Sequence, residues 1–509
     1  MLPHAISQRS TTSAIRMIPI EIWVLVFDIV CLRNQYSLFV NNALSDYQLR
    51  AYPVTLSHVC SQWRRIVLSC PQLWSAVSVN FTKLPSPVLP MIQSYLANSC
   101  HHTLSVRIAR STSTDPFSSP EEETWKELTR HSSRIRCLQM ESNAFHMLDI
   151  PLPEDVETLS FPNLTEYRGN FTELFSLPNP WWEALRTAPK LKSVFMSCLH
   201  PDSTLPYPQL TKMELNDLLA DEIESLFKIF PRCEALEELT IGWTGEEDPN
   251  DDEVNLEVVV MTSLRRLSIH GNLLDMDEPL LPEMLASLTM PSLESLSLRY
   301  SDFTQRAPWP PSLPAMLSRS SAVLTRLALH IERPKSILST DPNRSFLILL
   351  EQLPNLSIFQ LKMGFYESRY SLYESRYSRH KHEYGLDFNN VHVLDLFTRL
   401  EQCDHHPSFV PKLASIALEL SDIVLRADLA NAILDAVVAR SRTSGHGRQK
   451  LTNVRIRRLP GWKRVAVTKE DYGVDAPDEL GSDSSFTQRI EDLGRDGITV
   501  LLEELAYFW

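Results

Sequence analysis

Three hexapeptides share the same spacing of apolar residues: LRRLSI at 264–269, LESLSL at 293–298 and LTRLAL at 324–329. Each has an apolar residue at its first, fourth and sixth positions. Side chains alternate between the two faces of a β-strand, so positions four and six share one face, and positions three, five and seven share the other. The motif therefore predicts a strand with one buried face and one open face.

The motif recurs over most of the chain. From 191 to 356, successive copies start 19, 26, 28, 29, 31 and 32 residues apart. Between copies, the stretches at 222–230 and 344–353 have the apolar spacing of a helix. Further copies are IRCLQM at 135, LTEYRG at 164, LKSVFM at 191, LTKMEL at 210, LEELTI at 236, LSIFQL at 356, LASIAL at 413 and LTNVRI at 451.

Two parts of the repeat register stay open. VETLSF at 156 also fits the motif and competes with LTEYRG at 164. The interval of 57 residues between the copies at 356 and 413 has room for two units, or for one unit with an insertion.

This spacing resembles leucine-rich repeats, in which each unit supplies one strand and a returning helix or loop. The resemblance implies an α/β solenoid with a curved parallel sheet over 135–459. An α/β segment at 82–134 precedes it, with a strand at 104–108 and a helix that starts at Ser119, Pro120 and three glutamates. An acidic segment with a terminal helix, 460–509, follows it.

Composition narrows the classes of function. The chain has 509 residues, a net charge of −14 and only 13 glycines, and it contains no GxGxxG, GxxxxGK[ST], GxSxG or HExxH motif. The apolar stretch 22–32 is too short to cross a bilayer and contains Asp28. The eight cysteines are scattered without a CxxC pair, so we expect reduced core thiols and a cytoplasmic or nuclear protein.

Two amphipathic helices are predicted near the N-terminus, after a flexible tail at 1–16. The run IPIEIWVLVFDIV at 18–30 begins with Pro19 and Glu21, which suit a first helical turn, and has an apolar stripe at Ile22, Leu25, Val26 and Ile29. A second helix is predicted from Thr55 to Leu68.

The region 17–81 resembles an F-box, a helical module. The first helix matches the LP-x-E-I-x-x-x-I-F opening of that family, and LSHVCSQWRRIVLSCPQLW at 56–74 matches its V-C-x-x-W-R helix and P-x-L-W ending. The connection at 34–53 is longer than in typical F-boxes. The resemblance implies that the module docks on a Skp-type adaptor, and through it on a cullin scaffold.

The matching positions form the predicted adaptor-binding set: Ile18, Pro19, Glu21, Ile22, Val26, Phe27, Leu56, Val59, Cys60, Trp63 and Arg64. Residues 1–100 carry seven basic and three acidic side chains, a net charge of +4 that suits an acidic partner. The competing interpretation is that the apolar members pack into the protein's own core.

Enzymatic and metal-binding functions have little support in the sequence. The pairs His380 and His382, His405 and His406, and His101 and His102 lack cysteine or carboxylate partners at metal-ligand spacing. The acidic stretch 245–253 alternates Asp248, Asn250 and Asp252 but does not complete a calcium loop. We therefore predict a non-catalytic protein without a cofactor.

Three further segments interrupt the repeats and are interpreted as solvated loops or tails. They are the acidic loop at 245–253, the tandem YESRYS-L-YESRYS at 366–378, which we expect to be exposed and mobile, and the basic stretch 440–469 with its acidic continuation 470–496. The basic stretch contains Trp462, but the overall negative charge argues against nucleic-acid binding, and pairing with 470–496 is an alternative.

The open strand face supplies a candidate target-binding surface. If the copies at 264, 293, 324 and 356 are adjacent strands, their seventh positions align His270, Arg299, His330 and Lys362 about 4.8 Å apart, and Arg266 and Arg326 lie at third positions on the same face. Such a row predicts an acidic or phosphorylated target segment. The alternative is an ordinary solvated face that nearby acids such as Asp302 or Glu332 balance.

These observations predict a substrate-recognition subunit of a Skp-cullin-F-box ubiquitin ligase, with an F-box that binds the adaptor and a solenoid that binds a protein target. A repeat scaffold with no connection to a ligase is the first alternative, and an unrecognised enzyme is the second.

Overall fold

The structure is a computed structural model. It describes residues 18–32, 36–41, 48–110, 118–141, 152–169, 180–197, 205–244, 256–272, 280–301, 312–332, 346–364, 394, 396–402, 409–420, 427–442, 449–458, 484–495 and 498–504. The predictions for the tail at 1–16, the loop at 245–253, the tandem at 366–378 and the histidine pairs at 380–382 and 405–406 lie outside these residues.

The chain is mixed α/β and divides into two compact units, residues 1–216 and 217–509. The domain boundaries predicted at 17, 82, 135 and 460 stay predictions. The helices are α1 (Ile20–Leu32), α2 (Tyr52–Ser57), α3 (Ser61–Leu68), α4 (Val88–Asn98), α5 (Ser119–Arg130), α6 (Pro180–Arg186), α7 (Ala220–Ile229), α8 (Leu280–Ser287), α9 (Ser312–Ser320), α10 (Phe346–Glu351), α11 (Ala427–Arg442) and α12 (Ser484–Arg495).

The eight strands between residues 38 and 218, the last of which crosses the boundary of the first unit, lie in the order β8-β7-β6-β5-β4-β3-β1-β2. All neighbouring pairs are parallel except β1 and β2. The strands are β1 (Leu38–Asn41), β2 (Gln48–Ala51), β3 (Ala76–Asn80), β4 (Leu104–Ala109), β5 (Ile135–Met140), β6 (Glu166–Gly169), β7 (Ser193–Met196) and β8 (Lys212–Leu218).

Strands of the second unit lie in the order β18-β17-β16-β15-β14-β13-β11-β9, and each neighbouring pair is parallel. Two short strands, β10 and β12, pair separately. The strands are β9 (Glu238–Thr244), β10 (Val259–Val260), β11 (Arg266–Asn272), β12 (Leu288–Thr289), β13 (Ser295–Ser301), β14 (Arg326–Glu332), β15 (Ile358–Gly364), β16 (Ser415–Leu420), β17 (Asn453–Arg458) and β18 (Thr499–Glu504).

The predicted strands are confirmed, because each copy of the motif forms one strand that starts at its first or third position. The first, fourth and sixth positions are buried, as Leu264, Leu267 and Ile269 illustrate with exposures of 1% or less. Strand β6 settles the register at 164, because 156–161 forms no strand. Strands β15 and β16 are direct neighbours, so the interval of 57 residues holds one unit with an insertion.

The repeats share a backbone feature at the start of each strand. The carbonyl of position two accepts hydrogen bonds from the N–H groups of positions two and three in the next unit. In the second unit the accepting residues are Glu237, Arg265, Glu294, Thr325, Ser357 and Ala414. The same pattern at each step shows that the copies are structurally equivalent, and it satisfies backbone donors that would otherwise be buried without partners.

One expectation for the N-terminal region is wrong, and the expectation for the cysteines holds only in part. The single helix predicted from Thr55 to Leu68 is broken at 58–60, because Cys60 takes an extended conformation and caps α3. The expectation of core thiols holds for Cys31, Cys70 and Cys233, whereas Cys60 and Cys100 are exposed.

None of the helices in the part of the chain that the structure describes could span a lipid bilayer.

Candidate binding surfaces

Helix α1 packs on the protein through one stripe of large side chains. Trp23, Phe27 and Cys31 recur every four residues and are buried. The rings of Trp23 and Phe27 each lie 4.9 Å from the ring of Trp63 in α3, in a tilted and an edge-on arrangement. Burial raises the pKa of the Cys31 thiol to about 12, so the thiol stays protonated. This aromatic cluster joins α1 to α3.

The opposite side of α1 is also apolar, but it is exposed. We call Ile22, Leu25, Val26 and Ile29 the apolar face. Ile22, Leu25 and Ile29 have exposures of 48%, 56% and 55%. Helix α1 is therefore apolar on both sides. It buries the stripe of Trp23, Phe27 and Cys31 and leaves the apolar face exposed to solvent.

The remaining predicted adaptor residues divide between surface and core. Pro19, Glu21, Val59, Cys60 and Arg64 are exposed, whereas Ile18, Leu56 and Trp63 are half-buried. Phe27 has an exposure of 0%, so we reassign it from the predicted adaptor contacts to the protein's own core. Leu25 and Ile29 belong to the exposed surface although the family pattern did not select them.

Local contacts hold the exposed residues in place. The Pro19 carbonyl accepts the N–H of Ile22 at 3.1 Å and starts α1. The Cys60 sulfur accepts the N–H of Trp63 at 3.4 Å, and the Arg64 Nε donates to the Ser57 carbonyl at 3.0 Å. These bonds fix α3 against the end of α2, with Val59 at the turn between them.

The long connection between the helices forms a hairpin at the edge of the sheet. Strand β1 pairs with β2 on one side and with β3 on the other. The Tyr95 hydroxyl donates to the Ser37 carbonyl at 3.2 Å, and the Trp74 indole donates to the Val67 carbonyl at 3.0 Å. The hairpin therefore ties the helical module to the first strands of the sheet.

The predicted row of basic residues forms on the open strand face. His270 lies opposite Arg299, Arg299 opposite His330, and His330 opposite Lys362 in the parallel register. Arg266 and Arg326 both lie opposite Ser295, one strand away on either side. Each of these strands starts at the third position of its repeat unit. We call the residues at repeat positions three, five and seven of strands β11, β13, β14 and β15 the cationic face.

The basic residues of the cationic face affect the protonation of His330 and pair with acids on the neighbouring strands. His330 has its pKa lowered to about 4, by burial first and then by the charges of Arg299 and Lys362. His330 is therefore neutral at pH 7, and the fixed charges come from the arginines and the lysine. Acids lie on the strands at either end: Glu238 pairs with Arg266, and the Glu419 carboxylate lies 3.6 Å from the Lys362 amine. Asp302 and the Glu332 side chain lie outside the described residues.

The chain matches no protein-family model and no curated protein.

Proposed function

We propose that the protein is a target-recognition subunit of a Skp-cullin-F-box ubiquitin ligase. In this proposal the region 17–81 is the F-box, its apolar face docks on the Skp-type adaptor, and the repeats form a leucine-rich-repeat-like solenoid that holds a protein target. The chain itself supplies no catalytic residue.

The observation that carries the proposal is the exposure of the apolar face of α1. Ile22 and Val26 match apolar positions of the F-box opening, and Leu25 and Ile29 lie beside them on the same side of the helix. A contiguous apolar patch on a folded protein marks an interaction surface, because leaving it in water costs free energy that a partner recovers.

The size of this surface indicates which contacts a complex needs. Full burial of one aliphatic side chain contributes about 1.5–3 kcal/mol, so burying the exposed half of four side chains contributes about 1 kcal/mol each. Association itself costs at least about 4 kcal/mol. A stable complex therefore also needs the exposed neighbours Pro19 and Val59, which lie at the start of α1 and before α3.

Hydrogen exchange of the full chain with and without a purified Skp-type adaptor tests the proposal. We expect slower exchange over 20–32 and 58–64 on complex formation, and unchanged exchange over 326–332 in the second unit. If no complex forms, the protein is a repeat scaffold without a ligase connection. If a complex forms but protects only the second unit, the assignment of the docking surface to α1 is wrong.

A further inference from the structure

The cationic face contains twelve residues, and none of them is Asp or Glu. At the chain's overall content of 63 acids in 509 residues, one or two would be expected. Instead, four of the twelve carry fixed positive charge, and two more are histidines. The twelve are Arg266, Ser268, His270, Ser295, Ser297, Arg299, Arg326, Ala328, His330, Ile358, Gln360 and Lys362.

The middle of this face has short side chains. Ser268, Ser297 and Ala328 are aligned at position five of three adjacent strands. Two residues further along each strand, about 6.6 Å away, lie His270, Arg299 and His330. Two residues back lie Arg266 on β11 and Arg326 on β14, with Ser295 between them on β13. On β11 and β14 the short residue therefore lies between two longer side chains, and the hydroxyls of Ser268 and Ser297 can donate hydrogen bonds to a segment that lies across them.

The equivalent face of the first unit differs in its charges. There the basic residues alternate with acids: Arg107 pairs with Glu141, and the Arg168 Nε lies 2.6 Å from the Glu166 carboxylate. Arg168 also lies over the ring of Phe195, 4.0 Å from its centroid. On that face the acid lies on the same strand as its basic partner or on the next one. Two acids that pair with the cationic face, Glu238 and Glu419, lie on the flanking strands β9 and β16.

We infer that the cationic face binds an extended, carboxylate-rich segment of a protein, which crosses strands β11 to β15 beside the row of His270, Arg299, His330 and Lys362. This inference deepens the proposed function, since that segment would belong to the target. The electrostatic surroundings of His330 agree with it, because the charges of two cations, Arg299 and Lys362, lower its pKa.

The spacing of the charges favours carboxylates on several residues over a single phosphate group. Three strand spacings separate β11 from β15, a distance of about 14 Å. One phosphate reaches two or three neighbouring donors, whereas a segment with several Asp or Glu residues can place a carboxylate at each cation. Arg299 and Arg326, on adjacent strands, can each hold a carboxylate through two N–H groups.

Direct binding to the full chain tests the inference, with a fluorescein-labelled peptide of alternating Glu and Gly as the probe. We expect the double variant Arg299→Glu with Lys362→Glu to bind it roughly ten-fold more weakly or worse at low salt, because attraction becomes repulsion. The matched control is Arg136→Glu with Arg186→Glu, which changes the net charge equally at exposed arginines of the first unit. Equal loss in both double variants would overturn the inference.

A footprint on the unaltered protein removes the dependence on variants. Phenylglyoxal modifies accessible arginines, and we expect bound peptide to protect Arg299 and Arg326 but not Arg136. Unprotected Arg299 at saturating peptide would overturn the inference. So would tighter binding of an oligonucleotide, or binding that requires a phosphorylated peptide. Neither measurement uses the adaptor, so this inference and the adaptor proposal can fail separately.

Discussion

At the scale of single residues, Gly271 is a position where the fold requires glycine. It lies opposite Trp243 in the register of β9 and β11, and the indole covers it. A Cβ atom at Gly271 would lie 2.4 Å from two ring atoms of Trp243, which is itself buried.

Replacing Gly271 by alanine should therefore destabilise the protein by about 1–3 kcal/mol, because the buried ring must move. Gly494 in α12 is the matched control, since nothing lies within 4 Å of the added Cβ atom. Gly494→Ala should raise helix stability by about 0.5–1 kcal/mol. Urea unfolding of both variants measures the difference, and equal midpoints would show that the Trp243 contact is not tight.

His330 should make stability depend on pH. Its pKa is about 4 in the folded protein and near 6.5 when unfolded, so the unfolded state binds more protons between these values. The contribution of His330 to the free energy of unfolding is therefore fully present above pH 6.5 and decreases as the pH falls toward 4. After allowance for the exposed part of the ring, we expect His330→Gln to reduce this decrease by about 1–2 kcal/mol. Unfolding curves of both proteins across this range measure it, and parallel slopes would contradict the assignment.

The residues of α1 show what the sequence alone cannot decide. The stripe Ile22, Leu25, Val26 and Ile29 and the stripe Trp23, Phe27 and Cys31 are both apolar, so periodicity does not say which one faces the core. The structure buries the stripe with the larger aromatic side chains, which fill more volume against Trp63. Ile22 and Val26, which the core-packing interpretation places inside the protein, are therefore exposed and available to a partner.

At the scale of elements, arginine side chains connect a helix or turn to an earlier repeat. Arg440 in α11 is buried and donates from Nη2 to the carbonyls of Val410, at 2.7 Å, and Leu413, at 3.4 Å. Val410 has a φ of 33°, a conformation that is costly for a β-branched residue. Arg319 donates similarly to the carbonyls of Leu285 and Leu288, and Arg134 to those of Leu96 and His102.

Removing the Arg440 donors should destabilise the turn at Val410. We expect Arg440→Met to lower the free energy of unfolding by about 1–3 kcal/mol, because it leaves buried carbonyls without a partner. Arg440→Lys retains one charged donor and should lose less. Thermal unfolding of both variants measures the order, and a methionine variant as stable as the wild type would show that the turn at Val410 does not need the arginine.

The elements that the sequence predicted are those whose apolar spacing is regular. Strand β18 was missed because Gly497 occupies the first apolar position of its unit. The break between α2 and α3 was missed because Val59 and Cys60 continue the helical spacing, although both are exposed at the turn. The hairpin of β1 and β2 has strands of only four residues, and its position depends on pairing with β3, which no local pattern records.

At the scale of the whole molecule, each unit carries one candidate surface. The apolar face belongs to the first unit and the cationic face to the second. The row of basic residues could be predicted because its register follows from the repeat alone. Its neutralising partners could not, since Glu238 and Glu419 come from flanking strands and the neutral state of His330 depends on burial.

The proposed function depends on the binding of a Skp-type adaptor to the apolar face of α1. Truncation is a poor test, because deleting the helical module at 17–81 also removes β1, β2 and β3 and exposes the edge of β4. Point variants on the exposed side avoid this problem. Ile22→Asp with Leu25→Asp removes apolar contact without opening the core, and Val258→Asp introduces a charge at an exposed apolar residue of the second unit.

Isothermal titration of the full chain with a purified adaptor is the most direct measurement. We expect a complex with the wild type and with Val258→Asp, and a loss of at least about 2 kcal/mol of binding free energy, roughly thirty-fold in Kd, for the double variant. Circular dichroism should show all three proteins equally folded. Equal affinity of the folded double variant and the wild type would show that the adaptor does not bind the apolar face of α1.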